Sequence, residues 1–266
     1  MSPFIRVQQA EMVFTSRKGR FHALREIDLD IAKGEFVTLI GHSGCGKSTL
    51  LNLIAGLLRP TDGGLLCDGR EIAGPGPERA VVFQNHSLLP WLTCFDNVLL
   101  AVESVFGGRE LRSRLMARTE EALHLVGMDH AMFKRPHEIS GGMKQRVGIA
   151  RALVSEPDIL LADEPFAAID AMTREAMQSE LERFVAKTGQ TVVFITHSID
   201  EAVILGDRIA VISYRPGQIK EVVDVNLPRP RFDYDVKVLP EYSELRDYIW
   251  QLVKEEALQT TRGKER

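Results

Sequence analysis

Gly41, His42, Ser43, Gly44, Cys45, Gly46, Lys47 and Ser48 form one uninterrupted stretch, placed after the apolar run Glu35 to Ile40 and before a helix-favouring segment, Lys47 to Leu58. The pattern G-x-x-x-x-G-K-S carries structural meaning in this strand, loop, helix setting. Its glycines let successive backbone N–H groups curl around a phosphate, the helix N-terminus adds partial positive charge, and Lys47 supplies a full one. Ser48 is then placed to ligate Mg²⁺, and Thr49 follows it on the same helical turn. A loop of this kind has to follow a buried strand, so the chain is expected to contain an α/β core with a parallel sheet.

The rest of the chain agrees with that core. With 266 residues, 44% of them apolar, there is enough material for one large α/β domain and a modest appendage. Ile159 to Ala162 and Thr191 to Thr196 are short apolar runs with polar ends, as expected of strands covered on both faces. Ile5 to Phe14, Leu24 to Ile31 and Gly64 to Gly69 read as an antiparallel β layer ahead of the core. From Trp91 to about Leu153 the sequence turns charged and helix-favouring, broken at Gly107, Gly108 and Gly127. Beyond Gly217 it becomes rich in Pro and Arg, and Tyr242 to Leu258 reads as a terminal amphipathic helix, expected to be solvated and assigned no chemistry, with contact between the tail's basic residues and lipid headgroups as the alternative.

Composition excludes several classes. A formal net charge of −4 with scattered basic residues argues against nucleic acid as a partner. Cys45, Cys67 and Cys94 cannot all pair and have no C-x-x-C spacing, so neither a disulfide framework nor a zinc site is indicated, and a reducing compartment fits. No apolar run approaches the roughly 18 residues of a membrane span, and no signal-peptide pattern opens the chain. A membrane role would therefore run through a partner.

Two further groups carry chemistry. Asp163 and Glu164 follow the run Ile159 to Ala162, where the carboxyl end of a parallel sheet delivers them beside the phosphate loop. Asp163 reads as a Mg²⁺ ligand and Glu164 as the base that orients the attacking water. Ser140, Gly141 and Gly142 open a helix running to Val154, which makes a second anion-binding end. A phosphate-loop kinase has no use for that second end. Two copies closing over shared nucleotides do.

In this combination the sequence resembles the ABC ATPases. Their signature usually reads Leu-Ser-Gly-Gly-Gln and here runs Ile139, Ser140, Gly141, Gly142, Met143. Gln84 after Phe83 matches the family's glutamine loop, a Mg²⁺ ligand and catalytic contact. His197 after Thr196 matches the switch histidine, Phe14 the adenine-stacking aromatic, and Asp170 the D-loop aspartate, preceded here by Ala167, Ala168 and Ile169 where Gly-Ala-Leu is common. The resemblance covers about Phe4 to Arg215. It implies a P-loop NTPase (RecA-like) core with an antiparallel β layer and a helical signature subdomain, in a nucleotide-binding domain over 1–220, helical at about 91–155, with a tail over 221–266. It also implies ATP and Mg²⁺ as cofactors, and Lys47, Gln84, Glu164 and His197 as catalytic residues. A second ATPase subunit, membrane permease subunits and, indirectly, a periplasmic or lipoprotein solute-binding protein are the implied partners, at the cytoplasmic face of the inner membrane.

The segment Phe83 to Thr93, which includes Asn85, His86, Ser87, Pro90 and Trp91, looks like that of the nitrate, nitrite and cyanate import ATPases. Those sit beside the sulfonate and taurine importers, which share Pro-Trp and remain the alternative. Trp91 and its neighbours are expected as an exposed patch for the membrane partner. A homodimer is expected, with a longer sister subunit in a heterodimer as the other arrangement. Soluble, non-transport ABC proteins usually carry coiled coils or tandem cassettes, and neither fits this chain.

Overall fold

The computed structural model describes residues 3–17 and 19–263, the last seven of these by backbone alone. The expected outer limits at residues 1 and 266 lie outside the described residues. The chain divides into two compact units, residues 1–76 with 185–266, and residues 77–184.

The first unit opens with β1 (Ile5–Ser16) and β2 (Gly19–Ile31), then β3 (Phe36–Gly41), α1 (Lys47–Ile54), β4 (Asp62–Cys67) and β5 (Arg70–Glu71). An antiparallel sheet of order β2-β1-β4-β5 forms the anticipated layer. Its two long strands run past the expected limits. Register shifts between Val7 and Val13, with Gln9 and Glu26 at positive φ, interrupt the alternation by which strand ends are read from sequence. α1 is shorter than expected. It stops at Ile54 because Gly56 turns at φ +75°, where a Cβ would lie 2.2 Å from the Gly74 carbonyl oxygen.

The second unit contains β6 (Arg79–Val82), α2 (Cys94–Phe106), α3 (Arg112–Leu125), α4 (Gly141–Leu153), β7 (Ile159–Asp163) and most of α5 (Ala171–Thr188). β6 and β7 pair in parallel. Helices dominate here, as the charged, glycine-broken sequence implies.

The chain returns to the first unit with β8 (Thr191–Ile195), α6 (Ile199–Leu205), β9 (Arg208–Ile212), β10 (Ile219–Asp224) and α7 (Pro240–Gly263). β3 lies between β8 and β9, parallel to both, and β10 adds antiparallel to β9. All six residues of β3 and all five of β8 are buried, which accounts for their unbroken apolar sequence.

The tail is not solvated. Val225, Leu227, Val236, Tyr242, Ile249 and Leu252 join Ile40, Ala202, Val203 and Ile209 in one buried cluster. The helical spacing of Tyr242, Ile249 and Leu252 gives α7 an apolar stripe, and that stripe faces inward. Arg231 anchors the segment. Only 2% exposed, its guanidinium donates to the carbonyls of Val203 and Ile204 at 3.0 Å, of Gly206 at 2.7 Å, and of Val225 and Leu227 at 3.3 Å. A cation thereby caps the C-terminus of α6, where carbonyls lack helical partners.

Arg231→Met removes that donor and leaves buried carbonyls unpaired, so urea unfolding should lose about 3 kcal/mol of stability at constant m-value. Arg246→Met, which breaks a solvent-exposed pair with Asp200, should cost less than about 1 kcal/mol in the same experiment.

Candidate functional site

In the first unit β3 ends at Gly41, and the chain turns through residues 42–46 into α1. The helix cap is Gly46 at φ 102°, and no side chain accepts from the first turn. Its N–H groups are left for a ligand. Gly46 also has to be glycine for space, since a Cβ would meet Leu24 Cδ2 at 2.6 Å and the Ala23 carbonyl oxygen at 3.0 Å.

Lys47 is 7% exposed and bends back over the loop. Its Nζ donates to the carbonyls of Gly41 at 2.8 Å and His42 at 3.1 Å, and reaches Cys45 Sγ at 3.7 Å. Every one of these partners is uncharged, and among the described residues of the first unit no carboxylate pairs with this buried ammonium. Burial pushes the Cys45 thiol up, against the opposing charge of Lys47. His42, Ser43, Gly44 and Ser48 are exposed and Thr49 is half-buried. The His42 ring donates from Nδ1 to the Ser43 carbonyl at 3.0 Å and stands edge-on to Tyr214, centroids 5.2 Å apart.

Phe14 on β1 is 39% exposed and lies opposite Phe21 on β2, which is 42% exposed. Cross-strand partners share a face, so the two rings form one open aromatic surface. His197 is exposed just beyond β8. Its neighbours are tied in a closed ring: Thr196 Oγ1 donates to Glu201, the Ser198 N–H to Thr196 Oγ1 at 3.0 Å, and the Glu201 N–H to Ser198 Oγ at 3.3 Å. That ring fixes the backbone on both sides of His197 and caps α6.

In the second unit Asp163 and Glu164 are half-buried at the end of β7. Glu164 has φ 48°, a left-handed conformation that is costly for a residue with a Cβ. Gln84 Nε2 donates to Glu164 Oε2 at 3.3 Å, so these two expected site residues meet. Ser140 caps α4, its Oγ accepting from the Met143 N–H at 3.3 Å. Gly142 lies close under the chain, where a Cβ would be 3.2 Å from the Ala168 carbonyl oxygen. Asp170 accepts from the Thr173 N–H at 3.0 Å, and Thr173, with Arg146 nearby, holds its carboxyl below the usual range.

Sequence reading missed His86 as a structural link. Its Nε2 donates to the Gly141 carbonyl at 2.7 Å, while Arg151 donates to the Ser87 carbonyl at 2.7 Å and Gln145 to the Phe83 carbonyl at 3.5 Å. The Gln84 segment is thus bound to α4 along its length. No local pattern carries this information, because the partners are 55 to 64 positions apart. Trp91 is 66% exposed. It is presented by a loop that the buried Asn97 pins, accepting from the Leu89 N–H at 2.8 Å and donating to the carbonyls of Leu89 and Thr93.

Among the described residues no three His, Cys, Asp or Glu side chains are placed to hold a metal ion by themselves, and no helix is long and apolar enough to cross a membrane. The model of the ABC transporter family matches residues 24–167. The nitrate transport protein NasD of Klebsiella oxytoca is 54% identical over 96% of this chain and 98% of its own length. The nitrate import ATP-binding protein NrtC of Synechococcus elongatus is 47% identical, and the bicarbonate transport ATP-binding protein CmpC of Synechocystis is 48% identical. The chain spans only 39% and 40% of the lengths of those two relatives. Among solved structures, a dimeric ATP-binding cassette in a post-hydrolysis state with ADP and Pi superposes with a TM-score of 0.78, at 31% identity over 84% of this chain and 99% of that one.

His86→Ala should loosen the first turn of α4 without unfolding the protein. The expected result is faster amide hydrogen exchange at Met143 and Lys144, with a thermal midpoint within about 2 °C of the native value, since one half-exposed hydrogen bond contributes little to global stability.

Proposed function

The chain belongs to the ABC transporter family, whose ATPases couple ATP hydrolysis to transport, and on that premise we propose that it is the ATP-hydrolysing subunit of an importer for nitrate or nitrite. The observation that carries the nucleotide reading is the buried Lys47 ammonium, whose partners among the described residues of the first unit are neutral groups, beside a glycine-capped helix end. The triphosphate supplies the missing negative charge. The nitrate reading is supported by NasD, which matches along nearly its full length. The bicarbonate relatives favour a second reading, since bicarbonate, like nitrate, is a small planar monoanion.

In this reading Phe14 stacks on adenine, and residues 41–49 enclose the phosphates. Ser48, Gln84 and Asp163 are the proposed Mg²⁺ ligands. A hydroxyl, an amide oxygen and one carboxylate are hard oxygen donors, a set that suits an ion which keeps several waters and phosphate oxygens in its shell. Magnesium, when bound, neutralises charge on the phosphate oxygens. Glu164 orients the attacking water and accepts its proton as the bond between the γ-phosphorus and the ADP oxygen breaks. Gln84, already hydrogen-bonded to Glu164, positions that carboxylate, and His197 donates to the γ-phosphate. Ser140, Gly141, Gly142 and Asp170 of a second copy complete each site. Permease subunits contact the surface around Trp91, which places the protein peripherally on the cytoplasmic face of the membrane.

Glu164→Gln should keep ATP binding, reduce turnover by about 10²-fold or more, and yield a stable dimer on gel filtration with ATP. Normal turnover by a monomeric variant would remove Glu164 from this role. Ser140→Arg should abolish turnover while leaving some ATP binding, and intact turnover would exclude a composite site. In cells, Glu164→Gln should eliminate uptake of labelled nitrate; loss of bicarbonate or taurine uptake alone would reassign the solute and leave the ATPase reading in place.

A further inference from the structure

The turn between β9 and β10 is pressed against the phosphate loop. Gly217 donates its N–H to the Ala23 carbonyl at 3.0 Å and accepts from the Arg25 N–H at 3.0 Å, and a Cβ on Gly217 would lie 2.1 Å from the Cys45 carbonyl oxygen. Ser213 ties the turn internally, its N–H donating to the Gln218 carbonyl at 2.9 Å. On the other side the Tyr214 N–H donates to Glu256 Oε2 at 3.0 Å, and Glu256 is 6% exposed. The backbone that carries Arg215 is therefore held by β2, by α7 and by its own turn.

The Arg215 side chain projects from this rigid base toward the loop. Its guanidinium carbon lies 5.2 Å from the Phe21 ring centroid and 5.1 Å from that of Tyr214, and its Nη2 is 3.4 Å from where a Cβ on Gly44 would stand. Those ring faces are its contacts; among the described residues no carboxylate pairs with it. Ring faces steady a guanidinium and leave its edge N–H donors available. Within one corner of the first unit, then, an exposed cation with unused donors stands over Gly44 and beside the open surface of Phe14 and Phe21.

We propose that Arg215 is a further nucleotide-binding residue, whose guanidinium donates to a phosphate oxygen of the nucleotide held by residues 41–48. The proposal rests on the reading of that loop as the nucleotide site. A planar, permanently charged fork suits phosphate oxygens, and a single such contact changes affinity by on the order of tenfold. Binding is therefore divided between the buried Lys47 inside the loop and the exposed Arg215 outside it.

The test is calorimetric titration of the full chain with ATP and with ADP, together with competition by adenosine, in the native protein and in Arg215→Ala, Arg215→Lys, Arg215→Glu and Lys47→Ala. Arg215→Ala should weaken ATP and ADP by about tenfold, Arg215→Glu by more and Arg215→Lys by less, with adenosine unaffected. Native affinity in both Arg215→Ala and Arg215→Glu, with binding lost in Lys47→Ala, would overturn the proposal and leave the loop reading in place. Equal weakening of adenosine would also overturn it, by moving the contact to the base or ribose. Native affinity in Lys47→Ala would instead overturn the reading of the loop itself.

Discussion

A buried ammonium held by backbone carbonyls organises the first unit. Lys47 can be taken out of water only because the carbonyls of Gly41 and His42 turn toward its Nζ, and those carbonyls are aimed by the end of β3. The strand cannot shift to relieve the arrangement. It is buried at all six positions between β8 and β9, and a Cβ on Gly41 would already lie 2.5 Å from the Ile212 carbonyl oxygen. Pre-organisation of this kind spares a phosphate ligand the cost of reshaping the loop on arrival.

The C-terminal segment supports the same arrangement from outside the motif. Its apolar stripe joins the cluster that holds Ile40, next to the end of β3, and Arg231 caps α6, which begins two residues after His197. Glu256 fixes the turn that carries Arg215. Residues without chemistry of their own thus set the positions of residues that have it, through one cluster and a few charge-assisted hydrogen bonds.

In the second unit the equivalent task falls to hydrogen bonds between the Gln84 segment and α4. His86 and Arg151 both end on backbone carbonyls, which fixes the relative path of two chain segments and leaves the side chains of Gln84 and Ser140 exposed. A partner pressing on Trp91 would meet a loop already pinned by Asn97.

The sequence by itself determined the elements whose signal is local. The glycine loop with Lys47, the buried strands, the Ser140 cap and the acidic pair after β7 all follow from spacing and from the residue types a turn or covered strand demands. Tertiary structure decided the rest. Whether α7 was solvated or packed depended on a distant apolar surface being available, and the end of α1 depended on Gly74, eighteen positions beyond Gly56. Arg215 and His86 acquired partners only when segments far apart in the chain were brought within hydrogen-bonding or ring-contact distance. Periodicity and capping report energies set over a few residues, whereas burial and long-range hydrogen bonds depend on contacts that exist only once the chain has closed on itself.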